Sequence, residues 1–373
     1  MPFDTDLVTP APPAADCSLI ADTIQLLLEG DFQTRWEATK RISALGKPAI
    51  APLVTLLHDE DLEWEIRWFA ARTLGYLDDE DALAALIQLL QETQDAELIA
   101  IAAEGLSRFG EASVHALVQL FEQPSCRIPA IQALASIRHS AALPPLLKTA
   151  QDRDPAVRTI ALSALGDFRD ARVEALLLEA IKDPAATVRQ EAITHLGLRP
   201  HLQETINLVD ILLPGLWDIN LKVNQATAIA LGRLGTETAV ISLARVLASP
   251  HTPEPLQISI VRTLGWVKKE SALSALLSAQ QSVSVTVQLE IIEALSHLDE
   301  PGLKQRAGEA LCHWLDTLLD SPEAASVKPA IAFAIGCLQH QSARALLQHL
   351  SQDADERTRL YAQAALRQLK AVA

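Results

Sequence analysis

Residues 154–166 read Asp154-Pro155-Ala156-Val157-Arg158-Thr159-Ile160-Ala161-Leu162-Ser163-Ala164-Leu165-Gly166. Asp is a preferred helix N-cap and Pro is tolerated at the first helical position, so this stretch begins a helix. Val157, Ala161 and Leu165 recur every four residues, which places them on one helical face. A second apolar stretch follows, and Asp183-Pro184 then starts the pattern again. The stretch therefore predicts a repeating helical unit.

The pattern recurs along nearly the whole chain and can be aligned on the Gly of Ala-Leu-Gly or its equivalent, which we call the marker position. Markers lie 28 to 40 residues apart, and most have Leu immediately before them. They are Gly46, Gly75, Ser107, Ala135, Gly166, Gly197, Gly232, Gly265, Ser296, Gly336 and Arg367. This period predicts an all-α fold, an α-solenoid of about eleven short HEAT-like helical-pair repeats in a right-handed superhelix. We expect the helices that end at the markers, the marker helices, to form one layer.

The repeats also predict the domain organisation. Residues 1–17 are acidic and Pro-rich, which is typical of a disordered N-terminal tail. Residues 18–373 are expected to form a single solenoid, with longer units around 198–217 and 299–324 and a polar capping helix at 356–370. The small residue at each marker is expected to end one helix and let the next begin close by.

Charge is distributed unevenly along the chain. The net charge is −16, and residues 1–122 alone hold 22 acidic and 7 basic residues, a net of −15. This balance excludes nucleic acid as the expected partner, because nucleic-acid binding needs a basic footprint. We find neither a secretory signal nor an apolar run of about 18 residues, so we expect no membrane span. Four dispersed cysteines predict a reduced, cytoplasmic protein, which we expect to be a monomer.

No catalytic motif emerges from the sequence. We find no Gly-rich phosphate loop, no Gly-x-Ser-x-Gly elbow and no His-Glu dipeptide of the kind that di-iron solenoids repeat. Cys312, His313, Cys337 and His340 lie in adjacent units. They could hold a metal or an iron–sulfur cluster, or the cysteines could be small buried hydrophobes. We predict no catalytic residues, no metal site and no cofactor from the residues themselves.

Arginines recur eight residues before the marker, at Arg67, Arg127, Arg158, Arg189 and Arg359. One interpretation is a basic stripe that binds a phosphate ligand. The other is a structural ladder in which each Arg bonds a carboxylate or a helix end of a neighbouring unit. We favour the ladder, because Ile99, Asn224, Gln257 and Gln288 interrupt the stripe.

The stretch from Phe32 to Tyr76 is the most unusual surface candidate, since it holds six of the fifteen aromatic residues, interleaved with acids. Exposed aromatics ringed by charge are frequent in binding surfaces. The alternative is that these large residues close the end of the stack. The predicted partner-binding residues are Trp36, Asp61, Glu63, Trp64, Glu65, Trp68, Phe69 and Arg72, and their acidic setting predicts a protein partner with a basic surface.

The segment Arg67-Trp68-Phe69-Ala70-Ala71-Arg72-Thr73-Leu74-Gly75 and the repeats over residues 31–370 resemble the phycobilisome-lyase HEAT-like repeat family. E/F-type bilin lyases of that family carry a similar segment, with two tryptophans where this chain has Arg72 and Thr73. The resemblance implies a phycobiliprotein as a candidate partner and a bilin, bound near Trp68, as a candidate cofactor.

Three functional hypotheses remain open. The first is a non-catalytic protein-binding scaffold that docks a basic-surfaced protein on the first repeats. The resemblance implies two others, a bilin lyase, lyase subunit or phycobilisome-turnover factor, and an accessory protein of iron–sulfur cluster assembly.

Overall fold

The computed structural model describes residues 14–121, 123, 126–137, 139–319 and 326–370. Within these ranges the regular elements are helices and no strand occurs. The predicted all-α fold is therefore confirmed, while the repeat number and the superhelical hand stay predictions. Residues 1–13 of the predicted tail lie outside the described residues, and the first helix begins at Ala14, four residues before the predicted start of the solenoid.

Contacts group the chain into two compact units, residues 1–176 and 177–373, with the division inside α11 (Ala171–Ala180). The sequence predicted one uninterrupted solenoid, and that stays a prediction. The helices of the first unit are α1 (Ala14–Glu29), α2 (Phe32–Leu45), α3 (Ile50–His58), α4 (Trp64–Leu74), α5 (Glu80–Glu92), α6 (Ala96–Ser107), α7 (Glu111–Leu120), α8 (Arg127–Ser136), α9 (Leu143–Thr149) and α10 (Pro155–Leu165).

The second unit continues the alternation of marker helices and second helices. Its elements are α12 (Ala186–Leu196), α13 (Leu202–Ile206), α14 (Leu208–Leu212), a 3₁₀ turn (Leu213–Trp217), α15 (Leu221–Leu234), α16 (Glu237–Leu247), α17 (Glu254–Trp266), α18 (Glu270–Ala279), α19 (Val285–Ser296), α20 (Pro301–Thr317), α21 (Val327–Leu338), α22 (Arg344–Leu350) and α23 (Glu356–Lys370). Further 3₁₀ turns precede α3, α9 and α22.

The marker helices form one layer within each unit, as predicted. In the first unit the marker helices α2, α4, α6, α8 and α10 pack in sequence, α2 on α4, α4 on α6, α6 on α8 and α8 on α10. In the second unit α12, α15, α17, α19, α21 and α23 do the same. The apolar face identified in residues 154–166 lies in the core, because Val157, Ala161 and Leu165 are buried. Asp154 caps its helix by accepting a 2.9 Å hydrogen bond from the Ala156 amide, and Pro155 occupies the first turn.

Several marker glycines do more than end a helix. Gly46 has the predicted role, because its φ of 69° is left-handed and a Cβ there would meet no atom within 4 Å. Gly75 has φ −62°, an ordinary helical value, so it needs no left-handed freedom to end its helix. A Cβ on Gly75 would instead lie 2.6 Å from the Cα of Gly105 on the next marker helix. A Cβ on Gly197 would similarly lie 2.8 Å from the Cα of Ala230. Small residues at and near the marker therefore allow neighbouring marker helices to approach closely.

The two long units differ from the regular repeat in distinct ways. Around residues 198–217 the second helix is broken at Asn207, whose φ of 49° separates α13 from α14. In the unit at 299–324 the extra residues lengthen α20 to 17 residues, and residues 320–325 lie outside the described part. The capping helix has its predicted bounds at 356–370, but Leu360 and Tyr361 on it are exposed, so its outer face is not wholly polar.

Candidate protein-binding surface

Most marker helices present an exposed ridge formed by the residues seven and three before the marker and the residue after it. These positions are four residues apart, so they share one helical face. On α4 and the residue that follows its marker the ridge is Trp68, Arg72 and Tyr76. All three side chains are partly or well exposed. The ridge is the part of the repeat that is available for binding.

Ring contacts and contacts to Arg72 connect the aromatic residues at this ridge, and Trp64 lies on the same helix one turn before Trp68. We call this set the N-terminal aromatic surface and define it as Phe32, Trp36, Trp64, Trp68 and Tyr76. Phe32, Trp64 and Tyr76 are exposed, Trp64 by 54 %. Trp36 and Trp68 are half-buried. The rings of Phe32 and Trp36 stack with their centroids 6.2 Å apart. The cluster combines anchored rings with accessible ones.

Arg72 holds this surface together. Its guanidinium carbon lies 4.5 Å from the centroid of Trp36, 5.4 Å from that of Trp68 and 5.7 Å from that of Tyr76, all within cation–π range. Its Nη2 also donates a 3.2 Å hydrogen bond to the Tyr76 hydroxyl. Because these rings belong to two repeats, Arg72 fixes the geometry of the first repeats at their exposed face.

The contacts continue to the next marker helix. Arg108 lies 4.3 Å from the centroid of Tyr76, and its Nη2 is 3.3 Å from Glu104, which also lies 3.7 Å from Arg72. A cavity of about 310 Å³ opens beside Arg72, lined by Trp36, Thr39, Lys40, Ser43, Arg72 and Tyr76. Its size suits one large side chain. The prediction from sequence omitted Tyr76 and Arg108, although Tyr76 occupies the ridge position after its marker.

Phe69 requires a correction. The sequence offered it as part of the exposed pair with Trp68, but its side chain is 0 % exposed. Its ring packs against Phe32, with centroids 5.4 Å apart, and edge-on against Trp68 at 5.1 Å. Phe69 therefore supports the exposed rings from below and cannot itself contribute contact area.

Two of the predicted acidic residues are engaged within the chain. Arg35 is buried, and its Nη1 bonds the Glu65 carboxylate while its Nη2 lies 3.4 Å from Glu63. The side chain of Glu65 is 31 % exposed and that of Glu63 is 73 % exposed. Asp61 is exposed, and its amide bonds the Asp59 carboxylate at 3.1 Å. Glu65 thus joins α2 to α4, whereas Glu63 and Asp61 face solvent.

Four of the five arginines eight before the marker, all except Arg127, donate to carbonyls at or just beyond the end of the preceding helix. Arg67 Nε bonds Leu57 O at 2.9 Å, Arg158 Nη1 bonds Asp152 O at 2.8 Å, and Arg359 Nη1 bonds Asp353 O at 2.8 Å. Carbonyls at helix C-termini have no partner within their own helix, so these bonds satisfy them. Two arginines also pair with a carboxylate, Arg127 with Asp152 and Arg189 with Asp218.

Three of the four residues that interrupt the arginine series make the same kind of bond. Gln257 Nε2 bonds Leu247 O at 3.1 Å, and Gln288 Nε2 bonds Gln280 O at 2.8 Å. Asn224 donates to Gly215 O at 3.0 Å. The fourth, Ile99, has no side-chain donor. In most repeats the position therefore takes a donor to a helix end, charged or neutral. The contribution of this ladder to stability stays a prediction.

The Arg189–Asp218 pair is the best-formed rung. Nε and Nη2 of Arg189 bond the two carboxylate oxygens at 2.7 and 2.8 Å, while Nη1 bonds Asp183 O at 2.7 Å. The hydrogen bonds from Arg189 hold the pKa of the Asp218 carboxyl below its usual range. This bidentate geometry is the strong form of an arginine–carboxylate pair.

The thiols of Cys312 and Cys337, which lie in adjacent units, are partly buried. Burial, with a smaller contribution from the Glu309 carboxylate, raises the pKa of the Cys312 thiol to about 11, and burial also raises the pKa of Cys337. Both thiols are therefore protonated at neutral pH. Within the described ranges we find no group of three or more His, Cys, Asp or Glu side chains placed to hold a metal ion.

None of the described helices combines the length and apolar character needed to cross a membrane.

Paired helices that repeat in two layers and present an exposed ridge define an α-solenoid. A sequence model of HEAT repeats matches residues 20–107, 114–197 and 173–255, more than half of the chain. The protein belongs to the HEAT-repeat family. A comparison with curated proteins found no match.

Solved structures of importin-type proteins share this fold. Kap95p, whose binding induces the switch loops of RanGDP to adopt the GTP-bound conformation, is 17 % identical with a TM-score of 0.58, over 94 % of this chain and 55 % of its own. Importin beta is 13 % identical with a TM-score of 0.53, over 95 % and 56 %. Kap121p is 14 % identical with a TM-score of 0.56, over 99 % and 46 %. The chain thus spans about half the length of these proteins, and such identities show the fold alone.

Proposed function

We propose that this protein is a non-catalytic binding scaffold that docks another protein on its N-terminal aromatic surface. The observation that carries the proposal is the exposure of Trp64, Tyr76 and Phe32 around a ridge that Arg72 holds in place. Aromatic and arginine side chains supply most of the energy at protein interfaces. Kap95p, a solenoid of the same fold, binds RanGDP, which supports a protein as the ligand class.

The repeat itself does not require aromatic residues on the ridge. The positions of Trp68 and Arg72 are occupied by Gln190 and Thr194 on α12. Those polar side chains belong to a helix that packs with its neighbour equally well. The aromatic character of the first repeats therefore has a use other than holding the stack.

The charge around the surface favours a partner with a basic patch. Asp59, Glu60, Asp61 and Glu63 lie together just before α4 and are exposed. Opposite charges steer association and set the on-rate more than the final affinity. Glu65 is excluded from this role because it pairs with Arg35.

The resemblance of residues 67–75 to E/F-type bilin lyases suggests a phycobiliprotein as the partner, and the four dispersed cysteines suggest the cytoplasm as the compartment. In this chain Arg72 and Thr73 take the places of the two tryptophans of the lyase segment. Arg72 fills the space between the aromatic rings, and Thr73 is buried. We therefore favour recognition of the protein over handling of a bilin. A visible absorbance band in the purified protein would favour the lyase alternative instead.

The proposal is tested by affinity capture from a lysate of the source organism, with quantification of the captured proteins. The baits are the wild type, Trp64→Ala with Tyr76→Ala, and the control Trp217→Ala. Trp217 is 63 % exposed and lies in the second unit, away from the ridge. We expect a basic-surfaced protein that the wild type and the control retain and the double variant loses. Capture of the same proteins in equal amounts by all three baits would reject this docking surface.

A further inference from the structure

A groove of about 1040 Å³ lies on the exposed face of α19, α21 and α23, the last three marker helices. Its walls carry Leu289, Phe333, Leu360 and Tyr361. Phe333, Leu360 and Tyr361 are exposed. The rings of Phe333 and Tyr361 meet edge-on with their centroids 5.9 Å apart. The groove is thus lined by accessible apolar side chains held in a defined geometry.

These residues are not needed to build the repeat. Leu289 and Leu360 lie seven before their markers, where α12 has Gln190, and Phe333 lies three before its marker, where α12 has Thr194. Between these large side chains the groove is lined by Ala330, Ala334 and Ile292, and Ala334 and Ile292 are buried. Large exposed apolar side chains beside buried ones form a channel that a partner's side chains can enter.

Two opposite charges border the groove at diagonal corners. Arg357 lies in the first turn of α23, and Glu293 lies near the end of α19. Both are exposed, and in the described part of the chain neither forms a salt bridge. The hydrogen bond to Glu290 is the main cause of the raised pKa of Arg262, and the charge of Glu293 makes a small contribution to it. The one marker helix between them, α21, lines the groove with apolar residues, so these charges can orient a ligand that crosses all three helices.

We infer that this groove binds an amphipathic α-helix from a partner protein, with an acidic residue at the Arg357 end and a basic residue at the Glu293 end. The inference goes beyond the proposed function, since it concerns a second surface and another kind of ligand. The groove is walled by side chains of helices, whose backbone groups are already bonded within those helices. An extended segment could not pair with the backbone of these helices as it does with a sheet edge. Among the described residues that line the groove, the uncharged polar side chains are only Ser296, His297, Ser326 and Tyr361. A helix satisfies its own backbone groups.

The dimensions set the length of the ligand. Packed helices are about 8–10 Å apart, so crossing three of them spans about 16–20 Å. At 1.5 Å per residue a helix of about 11–13 residues covers this distance. Such a helix places apolar residues at intervals of three and four on the face toward the groove.

The test uses a displayed library of random helical peptides of about 14 residues, long enough to cross the groove, selected on the full chain. We expect enriched peptides to have one apolar face with an acidic and a basic end. Phe333→Ser with Leu360→Ser should weaken them about tenfold or more. Arg357→Glu should weaken them as well, because both ends of the groove are then acidic, and should favour a peptide with a basic residue at each end. Circular dichroism checks that each variant is folded.

Controls separate this inference from the proposed function. The variant Trp64→Ala with Tyr76→Ala should keep full peptide binding, because both substitutions lie in the first unit. The inference would be overturned if the enriched peptides lacked an apolar helical face. It would also be overturned if none of the enriched peptides depended on Phe333 and Leu360 for binding. Self-association of the wild type that the Phe333→Ser, Leu360→Ser variant abolishes would also overturn it, in favour of a second copy as the occupant.

Discussion

Replacement of Gly75 by alanine is the sharpest test of how the marker layer is built. The new Cβ would lie 2.6 Å from the Cα of Gly105, whereas carbon atoms in contact prefer about 3.5–4.0 Å. The neighbour is backbone of α6 and cannot rotate away, so α4 and α6 must separate by about 1 Å. Overpacking of this kind costs about 1–3 kcal/mol. We expect Gly75→Ala to lower the local free energy of unfolding by about 2 kcal/mol.

The consequence should be local and should reach the binding surface. Because each repeat contacts only its neighbours, the amides of α4 and α6 should exchange with deuterium about 30-fold faster, while those of α17 and α19 stay unchanged. The separation would also loosen the contact of Arg108 with Tyr76. Hydrogen exchange resolved by peptide measures both effects.

Gly302 provides the matched control. It lies in the first turn of α20, and a Cβ there meets no atom within 4 Å. Gly302→Ala should therefore be neutral or stabilise the protein by up to about 1 kcal/mol, since alanine restricts the unfolded chain. Unchanged hydrogen exchange of α4 and α6 in Gly75→Ala would refute the close-approach explanation. A loss of protection in α20 of Gly302→Ala as large as that in α4 of Gly75→Ala would also refute it.

Three further predictions concern paired and buried groups. Arg189→Ala should lower the free energy of unfolding by about 2 kcal/mol in chemical denaturation. Because the pKa of Asp218 is depressed in the folded state, this loss should be largest above pH of about 4 and shrink as pH falls below it. Glu65→Ala should cost about 2–3 kcal/mol in the same assay, since it leaves the buried Arg35 guanidinium without its main partner. Alkylation of Cys312 should be slow at neutral pH and should accelerate when denaturant exposes the thiol, because its pKa is raised to about 11.

Conservative variants distinguish these effects from general damage. Arg189→Gln should cost less than Arg189→Ala, because Gln257 makes the same bond to a helix end in another repeat. Glu63→Ala should cost little, since Glu63 is 73 % exposed. Equal losses for Arg189→Gln and Arg189→Ala, or a loss that does not change with pH, would contradict the reasoning about Arg189. A Glu63→Ala effect as large as that of Glu65→Ala would contradict the reasoning about Arg35. Rapid alkylation of native Cys312 would contradict the reasoning about its buried thiol.

The repeated stretch made the fold predictable, because Asp154 and Pro155 mark a helix start and the apolar spacing returns to one face. The role of the marker glycine was not predictable, because the close approach of Gly75 and Gly105 involves helices 30 residues apart. The spacing of residues along the sequence does not reveal how closely two helices pack. The break at Asn207 depends similarly on a single left-handed residue within an otherwise apolar segment.

The candidate site was predictable in part. The aromatic stretch was visible in the sequence, but the burial of Phe69 and the pairing of Glu65 with Arg35 depend on the rotation of α4 against α2. The groove at Phe333 and Tyr361 was missed because its residues come from three repeats, none of which is unusual by itself. A comparison of ridge positions across repeats would have found it.

The central claim is that a partner protein docks on the N-terminal aromatic surface, and association kinetics test it most directly. The captured partner is purified and its rate constants are measured at low and high salt against the wild type, Trp64→Ala with Tyr76→Ala, and Asp59→Lys with Asp61→Lys. The aromatic variant should dissociate at least about 30-fold faster, which corresponds to the loss of about 2 kcal/mol at a hot spot. The charge variant should mainly slow association at low salt, an effect that high salt removes. Wild-type rate constants in a folded aromatic variant would contradict the claim.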